Sequence, residues 1–307
     1  LYWMPELMKA FKMRRFLLSK MALSQKKCYT RTDLKDFSQQ YDVVICGSDQ
    51  VWFKDGLFRS FDPSFFLDFV CNKTTRRMSY AATFGSTNYF GEKEKLVNQL
   101  INQFDAIAVR DSHSLDIIHQ KFNRPAIRVL DPTFLIGYSE IMSVPKFSKE
   151  YLLIYNIEQL TPQEENFATL IAEIKNLAII SVGKHNKIAQ RNLIGISPEE
   201  WIGHFSKASY IITNSYHGAI FSITFKKPFT VFNPKNKPKI TDLLKYLDLE
   251  SRILSNPMEF SSIREELLKI DYDLVHKKLE KEVSRSKAYL FEAIGGKQVN
   301  QGAELCI

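Results

Sequence analysis

The stretch Ile211-Ile212-Thr213-Asn214-Ser215-Tyr216-His217-Gly218-Ala219-Ile220-Phe221-Ser222 decides the fold class. Residues 210–212 form an apolar run that reads as a buried strand. A small polar turn follows, then His217 and Gly218, then apolar residues at helical spacing. The histidine therefore falls at a strand-to-helix junction. Helix starts present unpaired N–H groups and the positive end of the helix dipole, so anions bind there. Gly218 removes a side chain where a ligand would approach the backbone. The competing reading is a core histidine beside an ordinary turn.

The same strand-then-polar-turn pattern occurs three more times. Asp42-Val43-Val44-Ile45-Cys46 runs into Gly47-Ser48-Asp49-Gln50-Val51-Trp52. Asp105-Ala106-Ile107-Ala108-Val109 runs into Arg110-Asp111-Ser112, and Ile127-Arg128-Val129-Leu130 into Asp131-Pro132-Thr133. Ligands of open α/β sheets sit outside the carboxyl ends of parallel strands, so four polar clusters at four such ends predict one cleft. Singly, each cluster is also explained by turn chemistry.

These residues carry a family resemblance. Tyr41-Asp42, the Gly47–Trp52 element, Ser79-Tyr80-Ala81-Ala82-Thr83-Phe84-Gly85, Ala108-Val109-Arg110-Asp111, Val129-Leu130-Asp131-Pro132-Thr133 and Thr213-Asn214-Ser215-Tyr216-His217-Gly218 resemble, in order and spacing, the polysaccharide pyruvyl transferase family. Members begin with a strand and a glycine- and asparagine-rich loop. This sequence opens at Leu1-Tyr2-Trp3 with neither, so that segment is expected to lie outside it.

The resemblance implies two Rossmann-like α/β domains with parallel sheets and a central cleft, an arrangement termed GT-B-like. It implies phosphoenolpyruvate as co-substrate, no cofactor and no metal. The acceptor would be a sugar, or a lipid-linked oligosaccharide, of a bacterial surface polysaccharide or exopolysaccharide. Motif matching carries donor binding onto Arg110, His217, Gly218, Ser215 and Lys239, with Lys235 and Lys237 as rivals to Lys239. Catalysis falls on His217 and Asp49. Ser48, Gln50 and Trp52 are the acceptor candidates, with Trp52 alternatively a core residue. Asp131, before Pro132, reads as a structural turn residue. His113, His119, His185, His204 and His276 have no motif support and read as surface or satisfied groups. Two other readings stand beside this one: a glycosyltransferase with a nucleotide-sugar donor, and a sugar- or anion-binding protein without turnover.

The pass along the 307 residues predicts an amino-terminal α/β domain over 1–140, with a linker over 137–149. A second α/β domain covers 150–270, and a helix over 271–294 crosses back to the first domain by fold analogy. Thr161-Pro162-Gln163-Glu164 and Ser197-Pro198-Glu199-Glu200 predict capped helix starts. The Phe-rich stretch 60–70 reads as packed loop and short strand.

The formal charge of +8, from 42 basic and 34 acidic residues, suits anionic substrates. No nucleic-acid-binding signature accompanies it. No apolar run approaches the roughly 18–20 residues of a spanning helix. Cys28, Cys46, Cys71 and Cys306 show no CxxC or metal-ligand spacing, which suits a reduced, cytoplasmic setting. From Lys9 to Arg31 there are eight basic residues and no acid, interleaved with Leu, Met and Phe. This predicts a helix over 5–24 that either contacts the inner face of a membrane or presents a solvated basic face.

Overall fold

The computed structural model describes residues 3–52, 61–232, 238–254 and 269–295. The chain forms two compact units. Unit I comprises Ser24–Ile136 with Lys277–Ile307, and unit II comprises Leu1–Leu23 with Gly137–His276.

Unit I contains a four-stranded parallel sheet in the order β1 (Val43–Asp49), β2 (Arg76–Ala82), β3 (Ala108–Val109), β4 (Ile127–Arg128). Parallel neighbours need crossovers, and helices α3 (Glu94–Ile101) and α4 (Ser112–Phe122) supply two of them. α2 (Arg31–Ser38) precedes the sheet. Its start is fixed by a capping box in which Thr30 and Asp33 exchange side-chain and backbone hydrogen bonds.

Val97, Ile101, Phe104, Ile118 and Phe122 cover one face of the sheet in a continuous core. The other face meets α9 (Tyr272–Ile294), whose Tyr289 and Ala293 pack with Met78, Tyr80 and Val129. Tyr289 donates its hydroxyl proton to the Ser79 carbonyl at 2.8 Å, which satisfies a buried polar group there.

Unit II is a six-stranded parallel sheet. Its strands are β5 (Tyr151–Tyr155), β6 (Ala178–Val182), β7 (Arg191–Leu193), β8 (Tyr210–Thr213), β9 (Phe229–Phe232) and β10 (Ile253–Leu254), ordered β10-β9-β8-β5-β6-β7. α5 (Pro162–Ile174) and α6 (Pro198–Lys207) begin at the predicted capping boxes of Thr161 and Ser197. α7 (Tyr216–Thr224) and α8 (Pro238–Tyr246) follow β8 and β9.

These are the two parallel-sheet α/β units expected, with two corrections. First, α1 (Trp3–Lys20) does not belong with the first sheet: Lys12 pairs with Glu200 of α6 at 2.8 Å, and Pro5 lies against Gly195. The boundary 1–140 therefore gives way to 24–136. Second, residues 60–70 hold no strand among those described. Asp62 caps a 3₁₀ turn at Pro63–Phe66 that buries Phe66. Along α1, Pro5, Lys12 and Phe16 are half-buried, while Phe11 is 70% and Leu18 65% exposed. Among the described residues no helix is long and apolar enough to cross a membrane.

Candidate active site

In unit II the chain runs outward from β5 through β6 to β7, then returns to place β8 on the other side of β5. The strand order thus reverses between β5 and β8. In open α/β sheets a crevice forms at the carboxyl ends of the two strands flanking such a reversal. The segment quoted at the outset lies there.

Thr213, the last residue of β8, is fully buried. Its hydroxyl donates to the Tyr155 carbonyl at 2.6 Å and accepts from the Ser215 N–H at 3.0 Å. Asn214 spans the reversal: its Oδ1 accepts from the Ile157 N–H at 2.7 Å, and its Nδ2 donates to the Glu158 carbonyl at 2.9 Å. The two strand ends are therefore tied together by side chains from the turn.

Ser215 occupies the N-cap of α7 without a side-chain cap bond and is buried. Its side chain faces the Tyr155 hydroxyl, whose pKa is pushed up by burial. His217 stands in the first turn of α7, half-buried. Lys239, in the first turn of α8, places its Nζ 5.5 Å from the ring centre of Tyr216, and that ring lies 5.5 Å from the His217 ring. An imidazole and an ammonium thus share one end of the sheet, beside two helix starts. Lys235 and Lys237 lie outside the described residues.

Gly218 has a different reason from the one expected. A Cβ there would stand 2.0 Å from Thr213 Oγ1, so the missing side chain admits the strand's own threonine, not a ligand.

In unit I three polar clusters converge. Arg110, whose side chain is 1% exposed, donates from Nη1 to Asp131 at 2.8 Å and from Nη2 to Asp49 at 3.2 Å. Asp131 is equally enclosed, and its Oδ1 also accepts from the Thr133 N–H and hydroxyl. It is a turn residue as expected, and in addition the buried counter-charge of Arg110. Ser48 reaches Asp131 at 3.4 Å. Asp49 is the exposed member, at 66%, and sits at φ +95°, a backbone region that L-residues rarely adopt. Such outliers cost on the order of 1–3 kcal/mol and concentrate at functional sites. Gln50 beside it is exposed.

Trp52 is removed from the acceptor candidates. It is 1% exposed, ringed by Phe66, Phe84 and Phe104, and its Nε1 donates to the Phe65 carbonyl at 3.0 Å. An indole whose only N–H and both faces are used inside the core has nothing left for a sugar.

Of the histidines without motif support, His113, His119 and His276 each meet a backbone carbonyl, and His185 is exposed. His204 is the exception. It is buried beside a cavity, a position no sequence signal marked.

Sequence reasoning also missed a set of asparagines. Asn186 donates to Asn156 at 3.0 Å and to Ser181 at 2.6 Å, while Asn192 Oδ1 accepts from the Asn186 N–H. They brace the ends of β5 and β6 next to the Asn214 tie.

Among curated protein sequences none is significantly similar to the chain. Solved structures resemble it at the level of fold. A putative UDP-N-acetylglucosamine 2-epimerase from Listeria monocytogenes superposes with a TM-score of 0.54 at 12% identity, covering 90% of this chain and 83% of that one. The glycotransferase of kitacinnamycin gives 0.48 at 10% identity, covering 86% and 78%. The wall teichoic acid polymerase TagF gives 0.42 at 11% identity, covering 83% and 72%. A family model does reach the chain itself: the model for polysaccharide pyruvyl transferases matches residues 6–236, which span β1 through β9 and include Arg110, Asp49 and His217. The chain belongs to the polysaccharide pyruvyl transferase family.

Proposed function

We propose that this chain transfers pyruvate from phosphoenolpyruvate to two hydroxyls of one sugar in a polysaccharide or its precursor. The enol methylene takes a proton. One hydroxyl adds to the adjacent carbon, and the second displaces phosphate to close a cyclic ketal. The observation that carries this reading is the family match over segments whose polar residues stand at strand ends and helix starts.

Such a reaction needs a proton donor, a base, and cations for one phosphate and one carboxylate. In this reading His217 is the acid or a phosphate ligand, and Lys239 supplies a point charge in the same unit. Ser215 and Gly218, both buried, would shape the donor pocket from behind it. In unit I, Arg110 is the candidate for an anionic group of the donor, as a planar fork. Its guanidinium faces Asp131 and Asp49, so donor contact requires the exposed Asp49 carboxylate to swing away. A freed Asp49 is then the base for the attacking hydroxyl, with Ser48 and Gln50 on the acceptor side. The exposed apolar and basic side chains of α1 would hold the enzyme at an anionic membrane face where lipid-linked acceptors are built.

The test is phosphate release from phosphoenolpyruvate with a glycan acceptor, run on the wild type and on His217→Ala. The variant should lose about 10²–10⁴-fold, the usual contribution of a general acid–base group. Retention of activity within a few-fold would take His217 out of the mechanism. A thermal-shift comparison separates donors. Phosphoenolpyruvate at ~100 times its Kd should add about 2.7 kcal/mol of stability. A shift with nucleotide sugars alone would replace pyruvyl transfer with glycosyl transfer.

A further inference from the structure

Unit II contains a second feature that the proposed reaction does not use. A cavity of about 370 Å³ opens between the segment 143–147, the edge strand β7 and helix α6. Its volume falls in the roughly 300–1,000 Å³ range of small-molecule sites. Glu200 and His204 line it from one face of α6, four residues apart and therefore stacked on consecutive turns. Trp201 and Phe205, one step round the same helix, pack instead on Phe221 of α7. The helix and this aromatic layer thus stand between the cavity and His217.

The polar groups in the cavity have a definite hydrogen-bonding sense. Tyr151 donates its single hydroxyl proton to the His204 carbonyl at 2.9 Å. Its oxygen also lies 3.3 Å from His204 Nδ1. Since the hydroxyl proton is already committed, Nδ1 must carry the hydrogen of that contact, and the neutral ring then bears a lone pair on Nε2. Burial lowers the His204 pKa, which favours the neutral ring. Nε2 has no hydrogen-bond partner among the described residues, although the residue is 8% exposed.

Glu200 behaves similarly. Its Oε2 takes the Lys12 ammonium at 2.8 Å and the Ser197 N–H at 2.7 Å, while Oε1 takes no hydrogen bond among the described residues. Opposite them Arg191 lies 5.5 Å over the Phe147 ring, and its N–H fork donates to no described residue.

Two acceptors and one donor fork, the fork stacked on the Phe147 ring, are therefore left over in one half-open cavity, with the exposed Lys146 at its rim. A simple anion would pair with Arg191 and Lys146 but has no hydrogen to give to Nε2 and Oε1, which it would leave unmatched. A cation is disfavoured by Arg191. A neutral ring bearing several hydroxyls satisfies all of them: hydroxyl protons go to Nε2 and Oε1, and hydroxyl oxygens accept from Arg191, which the Phe147 ring holds in place.

We propose that this cavity is a second carbohydrate site, which holds one sugar residue of a glycan apart from the candidate active site. The inference uses none of the residues assigned to pyruvyl transfer and stands or falls without that reading.

The test is NMR of the histidine Cε1–Hε1 signals of the full chain, with the His204 signal assigned through His204→Asn. Methyl β-D-glucopyranoside, N-acetylglucosamine and sodium sulfate are titrated to about 50 mM, well above the Kd of order 1 mM that a few hydrogen bonds give a small ligand. One or both sugars should move the His204 signal saturably and leave His217 unmoved, and sulfate should not move it. Arg191→Ala and Phe147→Ala should each weaken that response about tenfold or more, with the other histidine signals unchanged as a check on the fold. A response to sulfate alone would make this an anion site and overturn the proposal. So would no response to either sugar, or a sugar response indifferent to both substitutions.

Discussion

Replacing Gly218 by alanine tests whether the motif turn is built as described. The new Cβ would stand 2.0 Å from Thr213 Oγ1, 2.8 Å from its Cβ and 3.0 Å from its Cγ2. Thr213 must move, and it is fully buried with both of its hydroxyl bonds made, at 2.6 Å and 3.0 Å. Losing two such bonds costs about 1 kcal/mol each, and overpacking adds about 1–3 kcal/mol. Alanine returns at most about 1 kcal/mol of helix propensity. The net loss should be about 2–4 kcal/mol. Thr213→Ala alone should cost about 2–3 kcal/mol through the same two bonds and a buried methyl. In the double variant the two hydroxyl bonds are lost once instead of twice, and only the 2.8 Å Cβ–Cβ approach remains of the clash, so its loss should fall well short of the sum of the single losses. The coupling is then at least about 2 kcal/mol, far outside the 0.3–0.5 kcal/mol scatter of independent sites. Urea titration read by ¹⁹F-tryptophan NMR suits the measurement. Trp201 packs on Phe221 of α7 and reports unit II, while Trp52 reports unit I. Additive losses, or a Gly218→Ala variant as stable as wild type, would refute the close approach of α7 to β8.

Arg110→Ala should destabilise unit I by about 3–5 kcal/mol, because it removes the cation from the enclosed Asp131, and adding Asp131→Asn should recover much of that; the Trp52 urea midpoint decides, and a loss under about 1 kcal/mol would mean the pair is not formed. Burial depresses the His204 pKa, with Glu200 opposing and Arg191 adding to the effect. The stability this carries is full above the ordinary histidine value near about 6.5 and is lost as pH falls through the lower folded value; His204→Asn should flatten that slope in Trp201-detected unfolding. Membrane contact by α1 predicts co-sedimentation with anionic but not neutral liposomes at low salt, weakened at physiological salt; equal recovery in the supernatant with both at both salts would leave its exposed Phe11 and Leu18 without a lipid role.

The sequence was most legible where burial is complete. β8 covers the expected residues because it is a continuous apolar run inside a parallel sheet. Thr161 and Ser197 marked helix starts because a capping box is a local contract between residues three apart. The same signal at Thr30 and Asp33 went unread and would have found α2. β7 was invisible: Arg191-Asn192-Leu193 has no apolar pattern and is a strand only through pairing with β6. Asp105 was read into a strand, but its carboxylate serves as acceptor for the Arg77 N–H at 2.7 Å, and β3 shrinks to Ala108–Val109. The grouping of Arg110, Asp49 and Asp131 is a property of sheet order, which no single stretch of sequence encodes.

The motif residues divide by what is left over after folding. Thr213, Asn214, Asp131 and Trp52 are enclosed, and their polar groups hold turns or neighbouring strands. Gly47 belongs with them, since a Cβ there would stand 2.4 Å from the Tyr80 carbonyl of the paired strand. Substituting any of these removes activity by moving the scaffold, so loss of activity alone assigns them no chemistry. Asp49, Gln50, His217 and Lys239 differ, because each keeps accessible surface at a strand end or helix start. A group that meets substrate must be reachable, and a group that only holds the fold need not be. The informative substitutions are therefore at these four positions. There, lost turnover with unchanged unfolding midpoints separates chemistry from architecture, and an equal loss of both would return the residue to the scaffold.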